Sequence, residues 1–428
     1  MRILIAALCF VAIAGTATAR QTIIRDAEIE YALRQVAAPI LRAAGLPSSV
    51  RIIVVRDDRM NAFVANSRTI FIHSGLLLRM EDAAMLQAVI AHEAAHIANG
   101  HLTRRATAVR GARNMAAIGL LLSAAASATG DARAGLGVAA GTSSAAQRSL
   151  FAHTRAEEAS ADQSSLRYLA NAGVDPRAAL RVLELFRGQE VLSVGRQDPY
   201  AQTHPLTRDR IRAVEGFAAA VSPRGSADPA TAYWYARATG KLSAFLRAPR
   251  WTLRRVRNQN DGISVMRRAI AEHRNANSGR AVSLMDSLLA ARPQDPYWHE
   301  LRGQILLESR NAAGAVASYQ RAASLAPREP LIRAGLGRAL LAAGRPQDAL
   351  AALQAARASA PYDPNMLRDL AQAHAQLGQA GLASIATAER YAITGRMDDA
   401  RIHATRAEAT LPRGSSGWLR AQDILAVR

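Results

Sequence analysis

The sequence is short of the residues that several kinds of chemistry would need. It has one cysteine, Cys9, in 428 residues, and that cysteine falls within the first 19. The chain after residue 19 therefore has no disulfide and no thiol chemistry. One lysine, Lys241, stands among 54 basic residues, so arginine carries nearly all the positive charge. Aromatic residues make up only 5% of the chain while alanine is abundant, which points to closely packed small-residue helices rather than aromatic-rich sandwiches. No apolar run reaches the roughly 20 residues of a spanning helix, which excludes a polytopic membrane protein. Acidic residues number 34 against 54 basic ones, for a net charge of +20. The arginines are dispersed instead of forming a stripe or tail, so no nucleic-acid partner is expected. The surplus charge would still favour an anionic surface such as lipid head groups or lipopolysaccharide.

What is present is ample for a core. Half the residues are hydrophobic, and the length suggests two or three domains. Residues 1–19 combine Arg2, an apolar stretch from Ile3 to Ala14 and the small-x-small triplet Ala17-Thr18-Ala19. This pattern predicts a secretory signal peptide and export to the periplasm. Helical spacing of apolar residues predicts helices over 23–46, 82–98 and 155–172, and β-branched runs predict strands over 49–55 and 69–73. The Ala/Gly/Ser-rich stretch within 107–150 reads as a helical hairpin, an active-site flap or a membrane-surface contact. Further on, Pro293, Pro327 and Pro361 lie 34 residues apart, as do Pro296, Pro330 and Pro364. Ala281, Ala315 and Ala349 keep the same register, as do Gly303 and Gly337. That period is the tetratricopeptide repeat (TPR) signature of stacked helix pairs. The expected organisation is a signal peptide (1–19), a mixed domain (20–215), a helical connector (216–265), TPR repeats (266–382) and irregular or capping helices (383–428).

The sharpest chemical signal is His92-Glu93-Ala94-Ala95-His96. On a helix, positions i and i+4 share a face, so both imidazoles can reach one zinc ion, with Glu93 beside it as a general base. Zinc needs a third protein ligand and an open position for water. Glu157, Glu158, Asp162, His153 and His204 are the downstream candidates.

The segment Asn61 to His101 resembles the metallopeptidase family that includes HtpX, the CAAX prenyl protease and the BepA-like, TPR-bearing proteases. It has that family's Asn-Ala-Phe segment, strand, Gly-Leu-Leu helix start and HExxH helix. The Glu-x-x-Ala-Asp motif also appears, as Glu158 to Asp162, and so does a Thr-His-Pro-Leu motif, at Thr203 to Leu206 with Arg210 following. The resemblance implies an α+β zincin-like metallopeptidase domain, mostly helical with a small sheet, followed by an all-α TPR solenoid. It implies one zinc ion held by His92, His96 and Glu158, with Asp162 steadying a ligand histidine. It further implies His204 as a reversible fourth ligand and Arg210 as a group polarising the substrate carbonyl. On helix geometry Glu157 points about 100° away from Glu158 and is expected to be a solvated carboxylate.

The implied activity is that of a gluzincin endopeptidase: Glu93 deprotonates a zinc-activated water and returns the proton to the leaving amine. Strand 69–73 is expected to be the sheet edge that an extended client pairs with. By resemblance the clients are unfolded or misassembled outer-membrane proteins, and the barrel-assembly machinery is a partner. The competing reading is an assembly chaperone or scaffold whose zinc site His204 holds shut.

Overall fold

The computed structural model describes residues 22–101, 155–189, 198–205, 207–224, 226 and 228–427. The predicted signal peptide, the 107–150 segment, His153 and Leu206 lie outside these residues. Among the described residues no helix is long and apolar enough to cross a membrane.

A four-stranded sheet is ordered β1-β2-β4-β3, with β1 at Thr22–Ile24, β2 at Arg51–Arg56, β3 at Ala62–Asn66 and β4 at Thr69–His73. β2 and β4 run parallel, while the outer strands pair antiparallel to them. β4 matches its predicted bounds, but it is an interior strand, so it is not the edge expected for it. The reason is that it is covered on both faces: Ile70 and Ile72 are fully buried on one, and Thr69 and His73 are buried on the other, and a strand packed on both faces belongs inside a sheet. Among the described residues, the open edge beside the helix of the HExxH motif is β3.

Helix α1 (Ala27–Ala43) starts at Asp26, whose side chain accepts from the Ile29 amide at 2.9 Å. It buries Ile29, Leu33, Val36 and Ile40, an i, i+4, i+7, i+11 stripe. After the short α2 (Ser74–Leu77), α3 (Ala83–Ala98) begins at a second aspartate cap, Asp82, which accepts from the Met85 amide at 3.0 Å. Every residue of α3 from Met85 to His96 is buried. A helix apolar all round sits in a core, and α3 lies between α1, β3 and the helices that follow. These are α4 (residues 155–171), α5 (Arg177–Glu184), α6 (Pro199–Thr203) and α7 (Arg208–Ala220). Asn99, just past α3, donates to Ser160 and Ser164 on α4 at 3.1 and 3.2 Å.

The region expected as a connector contains α8 (Pro229–Leu246) and α9 (Pro249–Arg255). α8 belongs to two cores. Tyr235, Ala238 and Leu242 pack with α1 and α3, while Ala244 packs with Met266, Ile270 and Trp298 of the solenoid. Charges reinforce the joint. Lys241, fully buried, lies 2.9 Å from Asp26, 3.4 Å from Glu28 and 3.3 Å from Glu300. Arg237 bonds Glu28 at 2.5 Å and also pairs with Asp295.

The solenoid runs from α10 (Gly262–Arg274) and α11 (Ser278–Ala291) through paired helices to α19 (Ser416–Ala426). The small residues in register serve close packing, since Ala281, Ala315 and Ala349 are all fully buried. Residues 380–426, where the proline period stops, form three further helices whose core is largely alanine.

Candidate metal centre

Three elements converge on one point. α3 presents His92 and His96 on successive turns, α4 presents Glu158 and Asp162 on successive turns, and His204 caps the C-terminal end of α6. All five are buried. Ligand atoms of His92, His96, Glu158 and His204 lie within 4.8 Å of one another. His92 Nε2 is 3.1 Å from His96 Nε2, 3.2 Å from His204 Nδ1 and 3.3 Å from Glu158 Oε2. His96 Nε2 is 3.4 Å from Glu158 Oε1, and His204 Nδ1 is 2.9 Å from Glu158 Oε2. Tetrahedral zinc with bonds of 2.0–2.1 Å sets its ligand atoms about 3.3 Å apart. The donor set therefore fits zinc in both chemistry and spacing.

The ligands are held from behind. His92 Nδ1 lies 3.1 Å from Asp162 Oδ1. His96 Nδ1 lies 2.9 Å from His101 Nδ1, and His101 is itself buried. With His96 Nε2 facing the centre, its proton resides on Nδ1, which donates to His101. The sequence reading missed this residue. Its signal was a histidine directly after Asn99-Gly100, where Gly100 takes φ +68° and turns the chain back on α3.

Arg210, near the start of α7, is placed differently from its expected role. Its Nε and Nη2 grip Asp162 at 2.6 and 2.9 Å, and Nη1 donates to the Pro205 carbonyl at 3.0 Å and lies 3.2 Å from Glu158. All three nitrogens are committed, and the side chain is 8% exposed. A guanidinium so occupied holds carboxylates in place. Glu157 also departs from expectation. It is 4% exposed, because α4 is covered on that side too, so it is not a solvated carboxylate.

Glu93 is fully buried, with Oε1 3.5 Å from His204 Nε2. His204 stacks at 4.5 Å on Tyr200, which stacks in turn on Phe186 at 4.7 Å. Tyr200 also donates its amide to the Met60 carbonyl, which ties α6 to the turn before β3. Electrostatically the site favours positive charge. Burial opposes ionisation of His92, yet Asp162 and Glu158 outweigh it and raise its pKa to about 10. Burial would push the Glu158 carboxyl up, but His204 and His92 hold it well below the usual carboxylate range.

Residues 24–218, which contain this whole centre, match the model of peptidase family M48, and residues 266–330 and 306–367 match tetratricopeptide repeat models. The chain carries an M48 peptidase domain followed by TPR repeats. The beta-barrel assembly-enhancing protease of Escherichia coli (strain K12) is 26% identical to it over 294 residues, covering 66% of this chain and 59% of that protein. The putative beta-barrel assembly-enhancing protease of Vibrio cholerae is 30% identical over 158 residues, covering 37% of this chain and 32% of that protein. A mitochondrial metalloendopeptidase of Schizosaccharomyces pombe is 30% identical over 165 residues, covering 38% of this chain and 44% of that protein. The chain thus spans between about a third and three-fifths of the length of these relatives. His92, Glu93, His96, Glu158, Asp162, His204 and Arg210 all lie inside the M48 domain.

Proposed function

We propose that the chain is a zinc metalloendopeptidase held in a closed resting state. His92, His96 and Glu158 would hold the metal, and His204 would take the fourth position. The observation that carries this reading is the set of four buried ligand atoms at tetrahedral spacing, with both helix histidines oriented by partners behind them. Zinc bound there would supply a Lewis acid and lower the pKa of a water molecule toward neutrality. Glu93 takes a proton from the attacking water on a carboxylate oxygen and delivers it to the leaving amine. Asp162, clamped by Arg210, keeps His92 in the tautomer that leaves Nε2 free to ligate. An extended client adds to β3 by backbone pairing, which reads conformation more than sequence. His204 fills the space next to Glu93 that water and the scissile carbonyl need. Opening the site therefore requires α6 to move.

The relatives named for beta-barrel assembly support clients among misassembled or stalled outer-membrane proteins, with the barrel-assembly machinery as a partner reached through the TPR half. The signal-peptide pattern of residues 1–19 supports a periplasmic location, with peripheral contact at the outer membrane. A second reading, a TPR scaffold with a latent centre, is favoured by the seating of His204 on Glu158.

One experiment separates the two readings: zinc content and casein cleavage by the exported chain, its Glu93→Gln variant and its His204→Ala variant. The protease reading expects about one zinc per chain, an inactive Glu93→Gln and a His204→Ala faster than the parent. Zinc without cleavage by any variant would support the scaffold. Absence of bound zinc would overturn both.

A further inference from the structure

Buried and half-buried arginines in this chain are generally answered by carboxylates. Arg25 pairs with Glu30 and Asp363, Arg210 with Asp162, Arg237 with Glu28, and Arg338 with Asp369. Arg267, on α10, is an exception. It is half-buried, and its Nε is closed off from solvent without meeting an acceptor among the described residues. Its stem lies across α8 at Gly240, where a Cβ would sit 3.3 Å from Arg267 Cδ and 2.9 Å from Ile263 Cγ2. The absence of a side chain at residue 240 is what lets the arginine stem lie against α8.

Arg267 borders a cavity of about 570 Å³ between α8, the start of α10 and the chain leading into α3. That volume lies within the roughly 300–1,000 Å³ of ligand pockets. Arg255, at the end of α9, lines the same cavity and has no carboxylate partner among the described residues. Burial first, and then the charge of Arg255, work against the charge on Arg267, and Asp261 offsets them only in part. Two arginines lining one cavity repel each other until an anion joins them. The wall between them and α3 is apolar, formed by Leu77, Leu78, Met80 and Ile263. The far rim carries Glu81 and Asp82, the latter already engaged by Arg181 at 2.6 Å.

We infer that this cavity binds a polypeptide carboxylate, an acidic side chain flanked by apolar residues, between Arg255 and Arg267. Guanidinium forks match a carboxylate, and the Leu77–Met80 wall receives the neighbouring apolar side chain. Glu81 on the same rim disfavours a phosphate dianion more than a carboxylate monoanion. The cavity lies at the N-terminal end of α3, whereas the metal ligands lie nearer its C-terminal end, so the two sites are separate. The inference does not depend on the proposed peptidase activity.

The test uses the full exported chain carrying Glu93→Gln, so that probes are not cut. The probes are a fluorescein-labelled Ala-Leu-Glu-Leu-Ala amide and its Gln-for-Glu twin, followed by anisotropy. The Glu probe should bind about tenfold more tightly than its twin, the effect of one charge-assisted contact. Arg267→Leu should abolish that preference. Arg255→Leu should also reduce it, and because Arg255 is exposed, this variant carries the test should Arg267→Leu fold poorly. Equal binding of the twins would overturn the inference, as would a preference that survives both substitutions. Inorganic phosphate displacing the Glu probe at lower concentration than acetate does would overturn the carboxylate assignment in favour of phosphate.

Discussion

Replacing Arg210 with leucine separates two roles that a buried arginine beside a zinc site can have. The guanidinium makes two short bonds to Asp162 and a further contact to Glu158. At 8% exposure, solvent does little to screen these contacts. Removing one partner of such a buried pair costs about 3–5 kcal/mol. Part of that cost appears as lower stability of the whole domain. Another part appears at the metal, because Asp162 is then free to turn and His92 loses the acceptor that fixes its ring. Loss of a group that orients a ligand typically weakens metal binding by about 10- to 100-fold, or about 1.4–2.8 kcal/mol. Arg210→Lys, which keeps the charge but not the fork, should fall between parent and leucine variant. Competition against a chromophoric chelator gives the zinc Kd, and casein cleavage at saturating zinc gives the remaining activity. The reasoning is refuted if Arg210→Leu binds zinc as tightly as the parent yet fails to cleave at saturating zinc. Arg210 would then act on the substrate and not through Asp162.

Two further outcomes test other parts of the structure. His101→Ala should weaken zinc binding by about tenfold, by leaving the His96 Nδ1 proton without its acceptor; an unchanged Kd in the same chelator titration would remove His101 from the metal site. At the joint between the halves, four carboxylates (Asp26, Glu28, Asp295 and Glu300) surround only Lys241 and Arg237. Burial first, and then the neighbouring acids, raise the pKa of Glu300 to about 7 despite the Lys241 charge. The folded state thus keeps a proton that the unfolded chain releases near its ordinary pKa. Stability therefore falls as pH rises from about 4.5 to about 7 and levels off above that. Glu300→Gln should lack this slope and gain on the parent in Tm at about pH 8 relative to about pH 5. Parallel Tm profiles would contradict this account.

How far the sequence could be read depended on how local each signal was. His92, Glu93 and His96 needed only helical spacing, and Glu158 and Asp162 only a second helix with the same step. The bounds of the strand at 69–73 were legible because Ile70, Phe71 and Ile72 are a compact β-branched and aromatic run. Its interior place was not, because strand order depends on pairings with other segments, and the strand that covers its outer side, Ala62–Asn66, pairs with it through an irregular register. The bonds of Arg210 to Asp162 were not legible, because the two residues lie 48 positions apart. Glu157 looked solvated because helix geometry gives direction but not what covers that direction. Lys241 stood out only as the single lysine, and nothing local showed that it is fully buried among three carboxylates contributed by two other helices and a cap.

The double membership of α8 bears on what can be inherited apart and what can be folded apart. A chain ended just after α7 would keep every metal ligand and the general base. It would nevertheless lose Tyr235, Ala238 and Leu242 from the core that seats α1 and α3. It would also leave the buried Glu28 carboxylate facing an apolar gap where Arg237 and Lys241 had been. The sequence matches two kinds of module here, but heat should not find the seam. The catalytic body and the first solenoid helices share one cooperative unit, and calorimetry should show them melting in a single transition.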